Sequence, residues 1–282
     1  MRYFNIRHTL VGKEGETDIL VALLSNYGFD SFEEEETHLN AFISEEIFHE
    51  KDWSAFHQSI SFLKDYEFTV LRLENRNWNK EWESNYEPIY IDKFCQITAP
   101  FHQQKDGFEY TLNIEPKMSF GTGHHDTTQL MIRLMRSIDF KNKKVLDMGS
   151  GTGVLSILAN KMGAEWVDAV DIDDWAFENI LENITRNNAK VNVHQGDVSF
   201  LRLVNLQYDI VLANINKNVL MADVPEYLKF LNKQGLLILS GFLPEDEKEL
   251  NSMDEINQQC LEGNALSTEN WMAKSFLKIV GF

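Results

Sequence analysis

The chain has 282 residues, which is room for about two domains if each takes roughly 100–200 residues. Hydrophobic residues make up 43% and charged residues 25%, beside 5 prolines and 15 glycines, and this composition excludes a disordered, collagen-like or low-complexity chain. Two cysteines, Cys95 and Cys260, are too few for a disulfide framework or a cysteine-rich zinc site. No apolar run reaches about 18 residues and the N-terminus has no signal-peptide pattern, so the sequence predicts a soluble, cytoplasmic protein.

The charge balance is strongly acidic, because 44 Asp and Glu residues outnumber 26 Lys and Arg residues and leave a net charge of −18. Proteins that bind nucleic acid usually present a basic face to the phosphates, so neither free DNA nor free RNA is expected as the main partner. No membrane partner is expected either. An acidic field attracts a basic protein partner, although acidity that only maintains solubility explains the same balance.

Residues 1–74 alternate strand and helix patterns, which predicts a small α+β domain. The helix patterns rest on apolar residues that recur every three or four positions. Four consecutive glutamates, Glu33–Glu36, interrupt the second extended segment and are typical of a solvated turn. The predicted elements are a strand Tyr3–Leu10, a helix Glu16–Tyr27, extended chain Ser31–Ile43, a helix Trp53–Leu63 and a strand Phe68–Leu73.

Residues 75–95 are predicted to link this domain to a second one, residues 96–282. The first part of the segment is polar but contains Trp78 and Trp82. These tryptophans would share one face of a helix because they lie four residues apart. We expect the two indoles to pack the linker onto a domain.

The second domain alternates strands and helices at a regular spacing, which indicates an α/β fold with a parallel sheet and helices on both faces. A strand-rich stretch, Ile89–Ala99 and Phe108–Ile114, and a helix, Gln129–Ser137, precede this pattern. The predicted strands are Lys144–Asp147, Trp166–Asp171, Val191–His194, Asp209–Ala213, Leu236–Ser240 and a strand pair within Thr268–Val280. The predicted helices are Val154–Lys161, Trp175–Asn187, Val219–Phe230 and Glu245–Gln258.

The first strand of this pattern runs into a glycine turn, Gly149–Gly153, with the sequence GSGTG, and then into a helix. Glycines in such a turn permit positive φ angles and let a ligand approach the backbone closely. The spacing differs from the Gly-x-Gly-x-x-Gly of dinucleotide sites, which disfavours a dehydrogenase. Gly149 and Gly151 are therefore candidate positions for contact with another ligand.

Three polar residues follow the next strands, at the sheet edge where open α/β folds bind ligands. Asp171 ends the second strand, where a carboxylate is placed to accept hydrogen bonds from ribose hydroxyls. Asp197 follows the third strand, where it either meets an adenine amino group or belongs to an ordinary turn. Asn214 ends the fourth strand, and its amide offers two donors and an acceptor. The glycine turn, the acid and the asparagine together resemble a class I S-adenosylmethionine-dependent methyltransferase.

A more specific segment lies upstream, Met118–Thr128, with the sequence MSFGTGHHDTT. It resembles the Phe-Gly-Thr-Gly-x-His-x-Thr-Thr loop of the PrmA family, whose members methylate the eleventh protein of the large ribosomal subunit. The family often reads Asn-Ile-Leu-Ala after the fourth strand, whereas this chain has Asn214 followed by Ile215, Asn216 and Lys217, so the side chains beside Asn214 differ. The likeness covers most of residues 75–245, through Trp78, Glu81–Glu83, Pro88, Asp147–Gly153, Asp171–Asp173 and Asn214–Ile215.

The resemblance implies a Rossmann-like class I methyltransferase sheet, S-adenosyl-L-methionine as cofactor, and a ferredoxin-like N-terminal domain that holds the ribosomal protein, a basic partner. It implies methyl transfer to lysine ε-amino groups and to the N-terminal α-amino group, and we expect a monomer. Beyond Asp126, no set of carboxylates or cysteines lies at ligand spacing from the adjacent His124 and His125, so no metal site is expected. The implied cofactor contacts are Phe120, His125, Thr128, Gly149, Asp171 and Asn214, with Gly151 beside them in the glycine turn.

Asn214 is the candidate catalytic residue, because its side-chain oxygen is predicted to accept a hydrogen bond from the incoming amine while water takes the proton. Other interpretations stay open. The chain is alternatively a module that binds S-adenosylmethionine without turnover and assists ribosome assembly. It is also compatible with a methyltransferase of another protein or a small molecule, although the Pro-Pro-aromatic pattern of glutamine and adenine amino methyltransferases is absent after Asn214.

Overall fold

The N-terminal strands form a four-stranded antiparallel sheet, order β2-β3-β1-β4, with helices packed on one face. The computed structural model describes residues 3–13, 15–73, 83, 85–116, 121–204 and 206–280, which divide between two compact units, Met1–Tyr86 and Glu87–Phe282. The first unit contains β1 (Tyr3–Thr9), α1 (Glu16–Tyr27), β2 (Ser31–Glu34), β3 (His38–Ser44), α2 (Glu50–Ser59) and β4 (Phe68–Leu73). This βαββαβ order is ferredoxin-like, as the resemblance implied.

Two details of the N-terminal prediction are corrected. The helix predicted for Trp53–Leu63 begins earlier, at Glu50, and ends at Ser59, because Ile60 is extended and a separate 3-10 turn, Leu63–Asp65, follows it. The four glutamates of Glu33–Glu36 are divided between strand and turn, since β2 continues through Glu34 and pairs with β3.

The core of this unit contains a buried histidine pair. The rings of His8 and His57 stack with centroids 6.2 Å apart, and the indole of Trp53 lies edge-on to His8 at 5.7 Å. His8 is fully buried, and burial lowers its pKa to about 4, with the nearby His57 contributing in the same direction. Burial also lowers the pKa of His57. Both histidines are therefore neutral in the folded unit at pH 7.

Acid is expected to destabilise this unit through His8. Its pKa in the folded state is below the ordinary value of about 6.5, so the stabilisation is complete above pH 6.5 and falls as the pH drops towards 4. The loss amounts to about 3 kcal/mol by pH 4. Urea unfolding followed between pH 7 and pH 4 measures it. His8→Phe should make the free energy of unfolding less dependent on pH. His49→Phe, at an exposed histidine, is the control and should leave the pH dependence unchanged. Equal pH slopes for both variants would refute this role of His8.

The second unit begins with a small three-stranded sheet, order β5-β6-β7, followed by helix α3. Of the segment predicted as a linker, residues 75–82 and 84 lie outside the described residues, and Trp78 and Trp82 are among them. Ile89 and Cys95, near its end, are buried in the core of the second unit. These elements are β5 (Ile89–Ile91), β6 (Cys95–Thr98), β7 (Tyr110–Asn113) and α3 (Asp126–Met135).

A seven-stranded sheet, order β10-β9-β8-β11-β12-β14-β13, forms the centre of the second unit. Its strands run parallel except β14, which is antiparallel to both β12 and β13. The strands are β8 (Lys144–Met148), β9 (Trp166–Asp171), β10 (Asn192–Gln195), β11 (Tyr208–Asn214), β12 (Leu231–Phe242), β13 (Cys260–Ser267) and β14 (Met272–Lys278). The helices between them are α4 (Val154–Lys161), α5 (Asp174–Asn187), α6 (Lys217–Phe230), α7 (Glu247–Asn251) and α8 (Asp254–Gln259).

Side chains of the central strands are buried on both faces of this sheet, as expected for parallel strands covered by helices. In β11, Val211 and Ala213 belong to one hydrophobic cluster, whereas Ile210 and Leu212 belong to the other. The predicted α/β class and the Rossmann-like sheet are confirmed. Within the described part of the chain, no helix is both long and apolar enough to cross a membrane.

The prediction was wrong near the C-terminus. The helix expected at Glu245–Gln258 is broken between Asn251 and Asp254 into α7 and α8, after a 3-10 turn at Pro244–Asp246. The final strand pair is β13 with β14, whereas both strands were expected within Thr268–Val280. Strand β13 lies at the edge of the sheet and exposes all its side chains but one, so it has no alternating apolar pattern that the sequence could reveal.

Candidate active site

A cavity of about 600 Å³ opens at the edge of the large sheet where β8, β9 and β11 end. Five of the predicted ligand residues line this cavity, and Thr128 lines a cavity of about 20 Å³ that shares Gly149, Gly151 and Asn214 with it. Phe120 lies outside the described residues. The five residues that line the larger cavity are His125, Gly149, Gly151, Asp171 and Asn214.

The glycine turn after β8 is held against the end of β9. Gly149, Gly151 and Gly153 have φ angles of 69°, 53° and 80°, which are strained for any residue with a Cβ. The amide of Gly149 donates to the Val170 carbonyl at 2.8 Å. A Cβ on Gly149 would lie 2.1 Å from the side chain of Ile215, so glycine is also required by packing at this position.

Asp171 connects the glycine turn to the start of α5. One carboxylate oxygen accepts from the Gly151 amide at 2.7 Å, and the other accepts from the Asp173 amide at 3.0 Å. The side chain therefore lies along the cavity wall, and each of its oxygens already accepts one hydrogen bond from a backbone amide. A carboxylate has about four acceptor sites, so Asp171 retains capacity for ligand hydroxyls.

A second carboxylate, Asp147, lies beneath the turn and does not line the cavity. It is buried, it accepts a hydrogen bond from the Ser156 hydroxyl, and burial raises its pKa to about 7. The negative charge of Asp171 contributes to this rise, whereas the Ser156 hydrogen bond opposes it. Its geometry indicates a support for the turn rather than a contact with a ligand.

Asn214 ends β11 with its side chain against α3. Its amide nitrogen donates to the Thr128 hydroxyl at 3.3 Å, while its buried side-chain oxygen has no hydrogen-bond partner among the described residues. A buried acceptor without a donor is costly unless a ligand supplies the donor. Asn214 therefore presents an acceptor to the molecule that fills the cavity.

The loop before α3 is attached to the glycine turn and to β14. The Thr152 hydroxyl donates to the Gly121 carbonyl at 2.7 Å. His125 caps α3 by accepting from the Thr127 amide, and its ring meets Trp271 edge-on with centroids 4.8 Å apart. His124 instead contacts the Glu87 carbonyl through Nε2 at 2.9 Å. In the described ranges, no three His, Cys, Asp or Glu side chains are grouped as a metal site would require.

Two asparagines of α5 clamp the chain on which this loop begins, and the sequence analysis did not identify them. Asn183 donates to the Thr152 carbonyl at 3.0 Å and accepts from the Glu115 amide at 2.8 Å. One turn later, Asn187 makes two hydrogen bonds with the backbone of Asn113. The available signal was the recurrence of asparagine every four residues on one helix face, at Asn179, Asn183 and Asn187.

Asp197, Asn216 and Lys217 form hydrogen bonds or ion pairs with neighbouring protein groups. Asp197 accepts from the Ser199 amide at 2.9 Å, which is a cap for the 3-10 helix Val198–Arg202. Asn216 caps α6 through the Asn218 amide. The Lys217 ammonium pairs with Asp246 and Glu249, both at 2.9 Å, so its charge is neutralised away from Asn214.

Four cavity residues come from positions that carried no sequence signal. Gly241 lies at an irregularity of β12, and Trp271 precedes β14. Asp223 and Tyr227 lie in the middle of α6. Because Gly241 lies near the end of a predicted strand, the sequence is compatible with a bulge there. The local pattern does not predict that Gly241 packs against the segment that follows β11.

Comparison with known proteins places this site in a family. The model of the family described as "Ribosomal protein L11 methyltransferase (PrmA)" matches residues 15–278. The ribosomal protein L11 methyltransferase of Porphyromonas gingivalis is 40% identical over 264 residues, covering 92% of this chain and 90% of the relative. That of Bacteroides thetaiotaomicron is 39% identical over 253 residues, covering 87% and 89%.

A solved structure supports the fold. The crystal structure of a ribosomal protein L11 methylase from Lactobacillus delbrueckii subsp. bulgaricus superposes with a TM-score of 0.63 at 24% identity, covering 69% of this chain and all of the other. The family match and the two relatives extend over both units of the chain. This chain therefore belongs to the PrmA family of ribosomal protein L11 methyltransferases, which are S-adenosylmethionine-dependent enzymes.

Proposed function

We propose that the cavity at the sheet edge binds S-adenosyl-L-methionine and that the enzyme methylates lysine ε-amino groups and the N-terminal α-amino group of L11. The observation that carries the proposal is the buried side-chain oxygen of Asn214, an acceptor without a donor on the wall of a cavity large enough for a ligand of this size. The family membership supplies the reaction and the protein substrate.

The residues of the cavity suit the cofactor. Asp171 offers carboxylate oxygens to ribose hydroxyls, and the strained turn lets backbone at Gly149 and Gly151 approach the ligand closely. Thr128 holds the Asn214 amide in place from the neighbouring small cavity. When bound, the cofactor supplies a methyl group on a sulfonium, together with its leaving group. Phe120 and His125 are proposed as further contacts on the resemblance of their loop to the family's.

The chain's own chemical task is to present a neutral amine in the correct orientation. A free lysine has a pKa of about 10.4, and transfer into a cavity with apolar walls lowers the pKa of an amine. The Asn214 oxygen accepts an N–H of that amine, which fixes the direction of the nitrogen lone pair. Orientation of this kind contributes much of the rate of a displacement reaction. The amide oxygen is a weak base, so the proton leaves to water.

The net charge of −18 supports the remaining parts of the proposal. An acidic enzyme attracts a basic protein such as a ribosomal protein and repels free nucleic acid. We propose that the enzyme acts as a monomer in the cytoplasm and recognises L11 as a protein rather than through RNA. We assign recognition of L11 to the ferredoxin-like unit, residues 1–74, and cofactor binding to residues 96–282, with residues 75–95 between them.

The test is methylation with labelled S-adenosylmethionine and purified ribosomal proteins, followed by mass spectrometry of the labelled peptides. Label on lysines and on the N-terminus of L11 is the expected result. Label on another protein would overturn the assigned target atoms. Binding of the cofactor without label on any protein would favour the alternative of a module that binds S-adenosylmethionine without catalysis. Tight binding of NAD would favour a dehydrogenase instead.

A further inference from the structure

A carboxylate on α6 lines the cavity and has no role in the mechanism described above. Val219, Asp223 and Tyr227 recur every four residues, so they share one face of the helix, and all three line the cavity. Val219 and Tyr227 present mainly carbon to the cavity. Asp223 is the charged group on this helix face.

The surroundings of Asp223 leave part of its carboxylate available. The Tyr227 hydroxyl donates to one oxygen, Oδ2, at 3.2 Å. Among the described residues, no Lys, Arg or His forms an ion pair with Asp223. Its burial raises its pKa, with the charges of Asp197 and Glu226 contributing, against the lowering effect of the Tyr227 hydrogen bond. A partly buried carboxylate without a cation is unfavourable unless a ligand donates to it.

Asp197, a second acid that lines the cavity, accepts a hydrogen bond within its own loop. Its carboxylate caps the 3-10 helix at the Ser199 amide, and hydrogen bonds from Ser199 lower its pKa. Helix α6 packs against the 3-10 helix that Asp197 caps, and Arg202 of that turn pairs with Glu226 of α6 at 3.4 Å, so the two acids lie at the same end of the cavity. Both acids line the cavity, but Asp197 caps a backbone amide, whereas Asp223 accepts a hydrogen bond only from the Tyr227 hydroxyl among the described residues.

The strand order indicates which part of the cofactor lies at this end. In the proposed function, Asp171, at the end of β9, binds the ribose, and Asn214, at the end of β11, orients the amine that receives the methyl group. Because β9 lies between β8 and β10, the base continues from the ribose towards the end of β10. Ile172 and Val198 provide apolar side chains there, and both line the cavity. A base at this position would lie beside the helix face that carries Asp223, because Val198 packs against the hydrophobic cluster that contains Val224 and Tyr227 of α6.

We propose that Asp223 accepts a hydrogen bond from the 6-amino group of the cofactor's adenine and thereby selects adenine over a 6-oxopurine. The Tyr227 hydroxyl orients the carboxylate for this contact. A 6-oxopurine places an acceptor oxygen opposite the carboxylate, and two acceptors repel each other. The inference rests on the cofactor placement of the proposed function.

Binding of two cofactor analogues to the full chain tests this role. Isothermal titration calorimetry compares S-adenosylhomocysteine with S-inosylhomocysteine, in which oxygen replaces the 6-amino group. The wild type is expected to bind the adenine ligand more tightly by about tenfold or more, since a hydrogen bond to a charged group is lost with the other. Asp223→Leu should weaken the adenine ligand about tenfold and should not weaken the 6-oxo ligand, because the substitution also removes the acceptor that repels the 6-oxygen.

Two further variants separate the contact from a change in structure or charge. Asp223→Asn keeps the volume and the acceptor for Tyr227, and its preference for adenine should fall between those of the wild type and Asp223→Leu. Glu226→Gln removes the same charge one turn later on α6, where Glu226 pairs with Lys229, and should leave the ratio of the two affinities unchanged.

The outcomes distinguish this inference from the proposal on which it rests. Equal weakening of both ligands by Asp223→Leu, or no weakening of either, would overturn the contact with the 6-amino group while the cofactor site stands. Failure of the wild type to bind S-adenosylhomocysteine would overturn the cofactor placement and this inference with it.

Discussion

Replacing Asn214 by alanine is expected to lower kcat for L11 methylation by roughly 10- to 100-fold with the cofactor saturating. Methyl transfer places positive charge on the attacking nitrogen, so the hydrogen bond to the Asn214 oxygen strengthens in the transition state. A hydrogen bond to a charged group contributes about 1.5–3 kcal/mol, which corresponds to that range of rates. Steady-state methylation of purified L11 measures the effect.

The same variant should keep its melting temperature. The Asn214 oxygen is buried without a partner, so removing the amide relieves an unsatisfied acceptor and loses only the 3.3 Å hydrogen bond to Thr128. Asn160→Ala is the matched control, because Asn160 bonds the Lys190 amide near the end of α4, away from the cavity. Full kcat in Asn214→Ala at saturating cofactor would show that the asparagine does not contact the amine.

Gly241→Ala is expected to be the most destabilising of these substitutions in the second unit. Gly241 has a φ of +99°, and a Cβ there would lie 2.1 Å from the carbonyl oxygen of Ile215. Backbone cannot yield as a flexible side chain does, so Ile215 and the adjacent Asn214 must move. Strain at positive φ and overpacking together cost roughly 2–5 kcal/mol. We expect a lower melting temperature together with weakened binding of S-adenosylhomocysteine.

Gly163→Ala separates the clash from the backbone strain. Gly163 has a φ of +100°, but a Cβ would come no closer than 3.5 Å to its neighbours. This variant should lose about 1–2 kcal/mol and retain ligand binding. Calorimetric melting with and without S-adenosylhomocysteine identifies the transition of the unit that binds ligand, because binding raises only that melting temperature. Equal losses in the two variants would mean that contact with Ile215 is unimportant.

Local patterns predicted the central elements of both units well. Helix α1 and helix α4 have the bounds that the apolar spacing indicated, because one face of each is buried and the sequence records that face. The local patterns did not predict an element whose side chains are mostly exposed, or a helix that is interrupted. The exposed edge strand β13 has no alternation, and the break between α7 and α8 falls within polar sequence that continues a helical pattern.

The residues of the candidate site likewise fall into those that the sequence identified and those that it did not. Gly149, Asp171 and Asn214 were identifiable from sequence because each ends or directly follows a buried strand, and the ends of parallel strands meet at one edge. Their assigned contacts with the cofactor stay predictions. The loop sequence before α3 added the family, and with it the cofactor and the protein substrate, which strand ends alone do not specify.

Other residues of the cavity became recognisable only once the elements had packed. Asp223 and Tyr227 read as ordinary mid-helix positions, and they face the cavity because packing sets the rotation of α6 about its axis. Gly241 matters because β12 lies beside β11, where its backbone meets Ile215. Trp271 reaches His125 because β14 turns back antiparallel beside β12. Contacts between distant segments depend on strand order and helix rotation, and these are set by the burial of the whole core rather than by any local run of residues.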